Sequence, residues 1–188
     1  MYKLFSFIII IFLMGCRDVV AQENQVIPTS SAISETSTSF TEVVPKIPAA
    51  NCSMTVPQNP VFMPPAPYNT LSSFKDYFWF GSNSLWTIIP ANGVWDALPL
   101  NSEGYTQKIL WWREGYVWDQ EPEPNLIVTG ERLDASAPPL LASKATNAFA
   151  SDIGSAMMVS VDLPTLGCWK INGKYNDAEL SFVIWVAP

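Results

Sequence analysis

The 188-residue chain carries 17 acidic and 10 basic side chains, a formal net charge of −7, and no histidine. The missing imidazole excludes Ser-His-Asp and Cys-His catalysis, most zinc sites and histidine acid–base chemistry. An acidic balance without a basic cluster excludes nucleic acid as a partner and disfavours anionic lipid heads at the folded surface, and no motif calls for a cofactor.

Lys3 precedes an uncharged apolar run, residues 4–14, in the layout of a secretory signal. A core of about 11 residues is shorter than the about 20 needed to span a bilayer. No small-x-small cleavage pattern follows it. Leu13-Met14-Gly15-Cys16 instead resembles the bacterial lipobox, with Met14 an unusual occupant of its position. The resemblance implies that residues 1–15 are removed and that Cys16 becomes the first residue of the mature chain. Cys16 then carries a diacylglyceryl thioether and a further amide-linked fatty-acyl chain of the palmitate kind. Each buried methylene contributes about 0.8 kcal/mol, so several chains anchor the protein to the bilayer permanently. The implied location is extracytoplasmic. Arg17, rather than Asp, follows the cysteine, which departs from the inner-membrane retention signal and directs the chain to the outer membrane of a two-membrane cell.

Residues 17–51 contain 12 Ser, Thr or Pro among 35 positions and no Gly, Trp or Tyr. Such a segment buries too little apolar area to offset its ordering entropy and reads as a disordered linker. Its end-to-end distance is about 35 Å. The folded part, residues 52–188, is therefore held near the membrane without being pressed onto it.

That part opens with a Pro-rich approach (Pro57, Pro60, Pro64, Pro65, Pro67), since proline cannot donate to a sheet ladder. Short β-branched and aromatic runs then recur between turn signals, predicting strands over 77–81, 85–89, 105–114, 125–134, 156–162, 167–175 and 179–186. Only residues 142–150 are helix-friendly, and Thr146-Asn147 interrupts them. Taking Asn176-Asp177 as a type I′ hairpin turn sets Lys174 opposite Glu179, Ile171 opposite Phe182 and Trp169 opposite Ile184. A slip of one residue would mismatch charges and apolar side chains alike. Met157, Val159 and Val161 supply another inward row. About seven antiparallel strands predict an immunoglobulin-like β-sandwich, an all-β fold.

The corner from Asp162 through Leu163-Pro164-Thr165-Leu166-Gly167-Cys168 to Trp169 is similar to the closing strands of bacterial immunoglobulin-like domains. Three further stretches carry a narrower likeness: Trp86-Thr87 with Pro90-Ala91-Asn92-Gly93-Val94-Trp95, Trp111-Trp112-Arg113-Glu114-Gly115, and Gly167-Cys168-Trp169. Through them the domain resembles a group of uncharacterised bacterial lipoproteins. That likeness implies fold and location and no activity.

With Cys16 lipidated, Cys52 and Cys168 form an even pair outside the cytoplasm and predict a disulfide. Cys168 alternates with Lys170 and Asn172, opposite to Trp169 and Ile171, so the bond would clip the amino-terminal segment across the outside of the sandwich.

The densest set of oxygen ligands is Glu114, Asp119, Glu121 and Glu123. Calcium would need several of these carboxylates to converge, and the loop lacks the glycine and stride of a calcium loop. A glycosidase would need two of them facing one bond. A solvated acidic turn is the simpler reading. Ser72-Ser73-Phe74-Lys75 has the Ser-x-x-Lys spacing of penicillin-interactive enzymes, but Ser-Asp-Asn and Lys-Thr-Gly are missing. Trp111 and Trp112 are adjacent on a strand and must face opposite sides. One belongs in the core, and the other is either covered by the Pro-rich segment or exposed. Trp118, beside the acidic loop, is the tryptophan expected at the surface, while most of the eight fill the core.

The expectation is a membrane-anchored lipoprotein of the cell envelope. Its non-catalytic binding or structural domain would meet an envelope protein or glycan through Trp112, Trp118, Glu114, Asp119, Glu121 and Glu123. The alternatives are a carboxylate-based extracytoplasmic hydrolase and a carbohydrate-binding module.

Overall fold

The computed structural model describes Pro48, residues 50–70 and residues 74–188. All of them fall within one unit, Thr41–Pro188. The expected signal peptide, Cys16, nearly all of the expected linker and Ser72 of the Ser-x-x-Lys spacing lie outside the described residues.

Among the described residues ten strands form, in the order β1 (Tyr77–Ser82), β2 (Leu85–Pro90), β3 (Val94–Trp95), β4 (Tyr105–Trp112), β5 (Leu126–Arg132), β6 (Leu141–Ala142), β7 (Thr146–Ala150), β8 (Gly154–Leu163), β9 (Gly167–Tyr175) and β10 (Ala178–Val186). One sheet runs β1-β2-β4-β8, with β6 and β7 both paired to the far side of β8; the other runs β3-β10-β9-β5. A single 3-10 turn, Tyr68–Thr70, is the only helical element among the described residues. The fold is thus an all-β arrangement of two sheets.

Three strands go beyond the seven expected. β3 and β6 have two residues each and leave no periodic trace. β7 occupies the stretch that looked helix-friendly: Ala148 and Ala150 favour helix intrinsically, but pairing with β8 from Thr146↔Met158 to Ala150↔Gly154 overrides that preference. Nor is the fold wholly antiparallel, because β3 lies parallel to β10.

The closing hairpin has the expected register, with Lys174↔Glu179, Ile171↔Phe182 and Trp169↔Ile184. Its turn is not type I′, however. Of the two central residues only Asn176 has a positive φ, 51°, whereas type I′ requires it at both.

Side chains of alternate residues fill three apolar layers. Between the sheets lie Leu85, Ile89, Ile109, Trp111, Met157, Val159, Val161, Trp169, Ile171, Phe182 and Ile184. The inward row of β8 is therefore the one expected. Thr87, a fully buried polar residue, donates its hydroxyl to the Leu110 carbonyl at 2.7 Å.

Against the outer face of the larger sheet, Trp79, Trp86, Trp112 and Ala156 meet Phe62, Tyr68 and Phe74 of the Pro-rich strap. On the outside of the smaller sheet, Cys52, Cys168, Trp185 and Ala187 form a third cluster with Met54, Val94 and Val183. Cys52 and Cys168 are disulfide-bonded there, clipping the strap to the face opposite Trp169 and Ile171, as their alternation implied.

Gly173 shows how closely the two sheets approach. A Cβ on it would stand 2.4 Å from the ring of Trp111, which is completely buried. Gly173→Ala should therefore destabilise the protein by about 1–3 kcal/mol through overpacking. A lowered urea midpoint with an unchanged slope would register this, and a midpoint equal to wild type would contradict it.

Candidate functional site

The β4–β5 connection, residues 113–125, closes one end of the two-sheet structure. Tyr116 anchors it by burying its ring in the central core and donating its hydroxyl to the Glu121 carbonyl at 3.0 Å. Strand β7 pins the outer part. The Asn147 backbone N–H donates to the Pro122 carbonyl (3.1 Å), and its side-chain amide donates to the Trp118 carbonyl (2.7 Å).

Arg113 and Tyr175 are the centre of this end. The Arg113 guanidinium carbon lies 5.4 Å from the centroid of the Tyr175 ring, a cation–π arrangement. Its Nε donates to the Glu114 carbonyl at 3.2 Å, and among the described residues no carboxylate forms an ion pair with it. The Tyr175 hydroxyl donates to the Glu121 carboxylate. Two open clefts meet at this pair. One, of about 410 Å³, is lined also by Asn83, Ser84, Glu114, Asn176 and Asp177; the other, of about 440 Å³, by Gly115, Val117, Gln120 and Glu121.

The four expected acids take separate surroundings. Glu114 is exposed in the first cleft, and Asp119 is exposed outside both. Glu121 lines the second cleft with its carboxylate held by the Tyr175 hydroxyl and, at 3.4 Å, the Asn125 N–H. Glu123 is paired with Lys144, whose hydrogen bond and charge hold its carboxyl below the usual range. Among the described residues no three carboxylate or cysteine side chains group to hold a metal ion.

Trp112 does not belong to a binding face. Its indole is fully buried under the strap, edge-on to Phe74 and Trp79, and its N–H donates to the Ile153 carbonyl at 2.9 Å. The strap covers the outer face that a solvent-facing Trp112 would have needed.

Trp118 is at the surface, 37% exposed, while the other seven tryptophans are buried. It stacks on Phe149 of β7, with ring centroids 5.4 Å apart and planes inclined by 23°. Phe149 is 58% exposed with one face against the indole, so its other face is open to solvent. Sequence reading did not find Phe149, Arg113, Tyr116 or Tyr175 as site residues. A strand alternation through residues 146–150 would have marked Phe149; the others become neighbours only in the folded chain.

Burial and, after it, the Glu121 charge push the Tyr116 phenol up to about 12. Burial also raises Tyr175, reinforced by its bond to Glu121 and opposed by Arg113. A folded value above the unfolded one of about 10 contributes stability that is fully present below pH 10 and lost as pH rises through the folded value. The difference in melting temperature between wild type and Tyr116→Phe should therefore shrink from about pH 10 to about 12. A difference that stays constant over that window would refute the assignment.

No protein-family model, curated protein or solved structure matches the chain.

Proposed function

We propose that the chain is an extracytoplasmic lipoprotein whose immunoglobulin-like β-sandwich is a non-catalytic binding domain. Cys16 carries the acyl chains, and residues 17–51 tether the domain to the membrane. The partner, an envelope protein or glycan, is met at the end formed by the β4–β5 connection. The observation that carries the binding role is the stacked Trp118–Phe149 pair, two large rings left in water on a chain that buries seven other tryptophans. The disulfide supports a location outside the cytoplasm.

An open aromatic face also favours a carbohydrate-binding module over a protein-binding one, since sugar rings stack on such faces. The hydrolase alternative is the weaker one. Glu114 and Glu121 fall in different clefts on either side of Arg113 and Tyr175, and the Glu121 carboxylate is already hydrogen-bonded.

Two measurements test this. Mass spectrometry of the membrane fraction should find the native chain acylated at Cys16 and the Cys16→Ala chain absent; an unacylated native chain overturns the tether. A photo-reactive residue replacing Phe149 should cross-link a membrane component, and Trp118→Ala should abolish that product. Failure to cross-link overturns the binding face. A glycan rather than a protein in the product decides for the sugar reading.

A further inference from the structure

Strand β1 is an outer strand of the larger sheet, at the opposite edge from Phe149, and among the described residues pairs only with β2. A two-residue turn brings Ser82 opposite Leu85, so Ser82, Phe80 and Phe78 direct their backbone groups toward β2. The bond from the Ala91 N–H to the Asp76 carbonyl, 2.8 Å, sets the same alternation at the other end. By this alternation the backbone N–H and C=O groups of Trp79 and Gly81 point outward, and among the described residues no backbone hydrogen bond outside the strand ladders involves them. Natural edge strands are guarded by charges, prolines or a covering element. This one has none on the strand itself: residues 77–95 contain no charged side chain.

The edge is also shaped. Tyr77, Trp79 and Gly81 share one face of β1. Trp79 is buried there under the strap, whereas Tyr77 is 43% exposed. Beside Gly81 an open cleft of about 190 Å³ separates the strand from Gln58, Pro60, Val61 and Phe62. Val61 and the neighbouring Met63 are exposed apolar side chains.

We propose that two copies of this chain join by antiparallel pairing of β1 with β1 about a twofold axis that passes between their Trp79 residues. In this register Trp79 exchanges both backbone hydrogen bonds with Trp79 of the second copy. Tyr77 of each copy lies opposite Gly81 of the other. An exposed ring is thus laid over a residue with no side chain, at the mouth of the cleft, in the way aromatics cover edge glycines. Phe78 lies opposite Phe80 of the second copy, extending on the inner face the pair that the two already form within one chain at 6.3 Å. Sliding the strands by two residues shortens the ladder and separates Tyr77 from its glycine. The pairing sets no like charges against each other, and the interface is isologous, so it closes at two copies. A common membrane tether would favour it further by raising the local concentration.

The proposal is independent of the Trp118 face and can fail without it. Sedimentation of the full chain in detergent should show a concentration-dependent dimer. Hydrogen exchange at the Trp79 and Gly81 amides should slow as the dimer fills. Tyr77→Lys should weaken association at least about 100-fold, as expected when a charge is forced into an apolar contact. Ile127→Lys, an exposed change on β5 of the other sheet, should leave association intact. A chain that stays monomeric at about 1 mM overturns the proposal. So does a dimer whose Trp79 amide exchanges as fast as in the monomer, or one that tolerates Tyr77→Lys as well as Ile127→Lys. The exchange measurement needs no variant and stands even if Tyr77→Lys misfolds.

Discussion

Replacing both Cys52 and Cys168 by alanine should lower the melting temperature by about 10–20 °C. The two residues are 116 positions apart. Closing a loop of that length removes denatured-state entropy equivalent to about 4–5 kcal/mol. Alanine is the better probe than serine, because Cys168 is completely buried and a hydroxyl there would enter an apolar cluster with Trp185 and Ala187. The loss would also be local. Without the disulfide, the start of the strap is held to β10 by the Thr55 N–H on the Val183 carbonyl and the Val183 N–H on the Thr55 hydroxyl, both 2.9 Å. Exchange at the Thr55 amide should therefore accelerate more than exchange in β8, which is flanked on both sides in the larger sheet, by β4 and by β6 and β7. Calorimetry of wild type with and without reductant checks the main effect independently. An unchanged melting temperature in reductant would rule it out.

How much of this was legible in the sequence depended on whether the deciding partners were near in the chain or constrained by alternation. The closing hairpin was readable because Lys174 and Glu179 pair at its mouth and apolar residues pair within it, so one register satisfies both. The disulfide was expected because reading Cys16 as lipidated leaves just two cysteines, Cys52 and Cys168, in a chain read as exported. The adjacent pair Trp111 and Trp112 could be assigned to opposite faces, but not the fate of the outer one. Trp112 is covered by Phe74, which lies in a strap with no periodicity to announce what it packs on. The β7 edge strand was hidden by alanines that favour helix. The cleft pair Arg113 and Tyr175, 62 positions apart, meets only because the end of β4 and the end of β9 converge in space. Likewise, nothing in the acidic run shows that Glu121 is held by Tyr175 while Asp119 faces water.

The second large effect is expected at Asp134, where truncation to alanine should destabilise the protein by about 3–5 kcal/mol. Its partner Arg132 has a side chain only 2% exposed, and Asp134 is 10% exposed. The Arg132 Nε donates to Asp134 Oδ1 at 2.8 Å, and the same oxygen accepts the Cys168 N–H at 3.0 Å. Removing the carboxylate takes the ionic partner from a desolvated guanidinium, which keeps the Thr165 hydroxyl at 3.3 Å, and takes the acceptor from the Cys168 N–H beside the disulfide. Little can relax to fill the gap. Gly167 adopts φ 132°, and a Cβ there would lie 2.6 Å from the Arg132 Nε, so the corner is already closed around the pair.

The pH dependence separates charge from packing. Burial works against the ionised form of Asp134, but the Arg132 bond and charge and the Cys168 N–H together hold its carboxyl below the usual range. A depressed folded value contributes stability that is present above the unfolded value of about 4 and is lost as pH falls through the folded one. Wild type should therefore lose this contribution in acid, while Asp134→Asn lacks it throughout, so the gap between the two should narrow as pH falls below about 4. A gap that is constant across that range would mean that Asp134 acts through shape alone. Because Cys168 is bonded both to Asp134 through its amide and to Cys52 through its sulfur, the two large effects share a residue. Combining Asp134→Ala with the loss of the disulfide should then depart from additivity by about 0.5–3 kcal/mol, whereas strict additivity would show that the corner and the clip stabilise the fold independently.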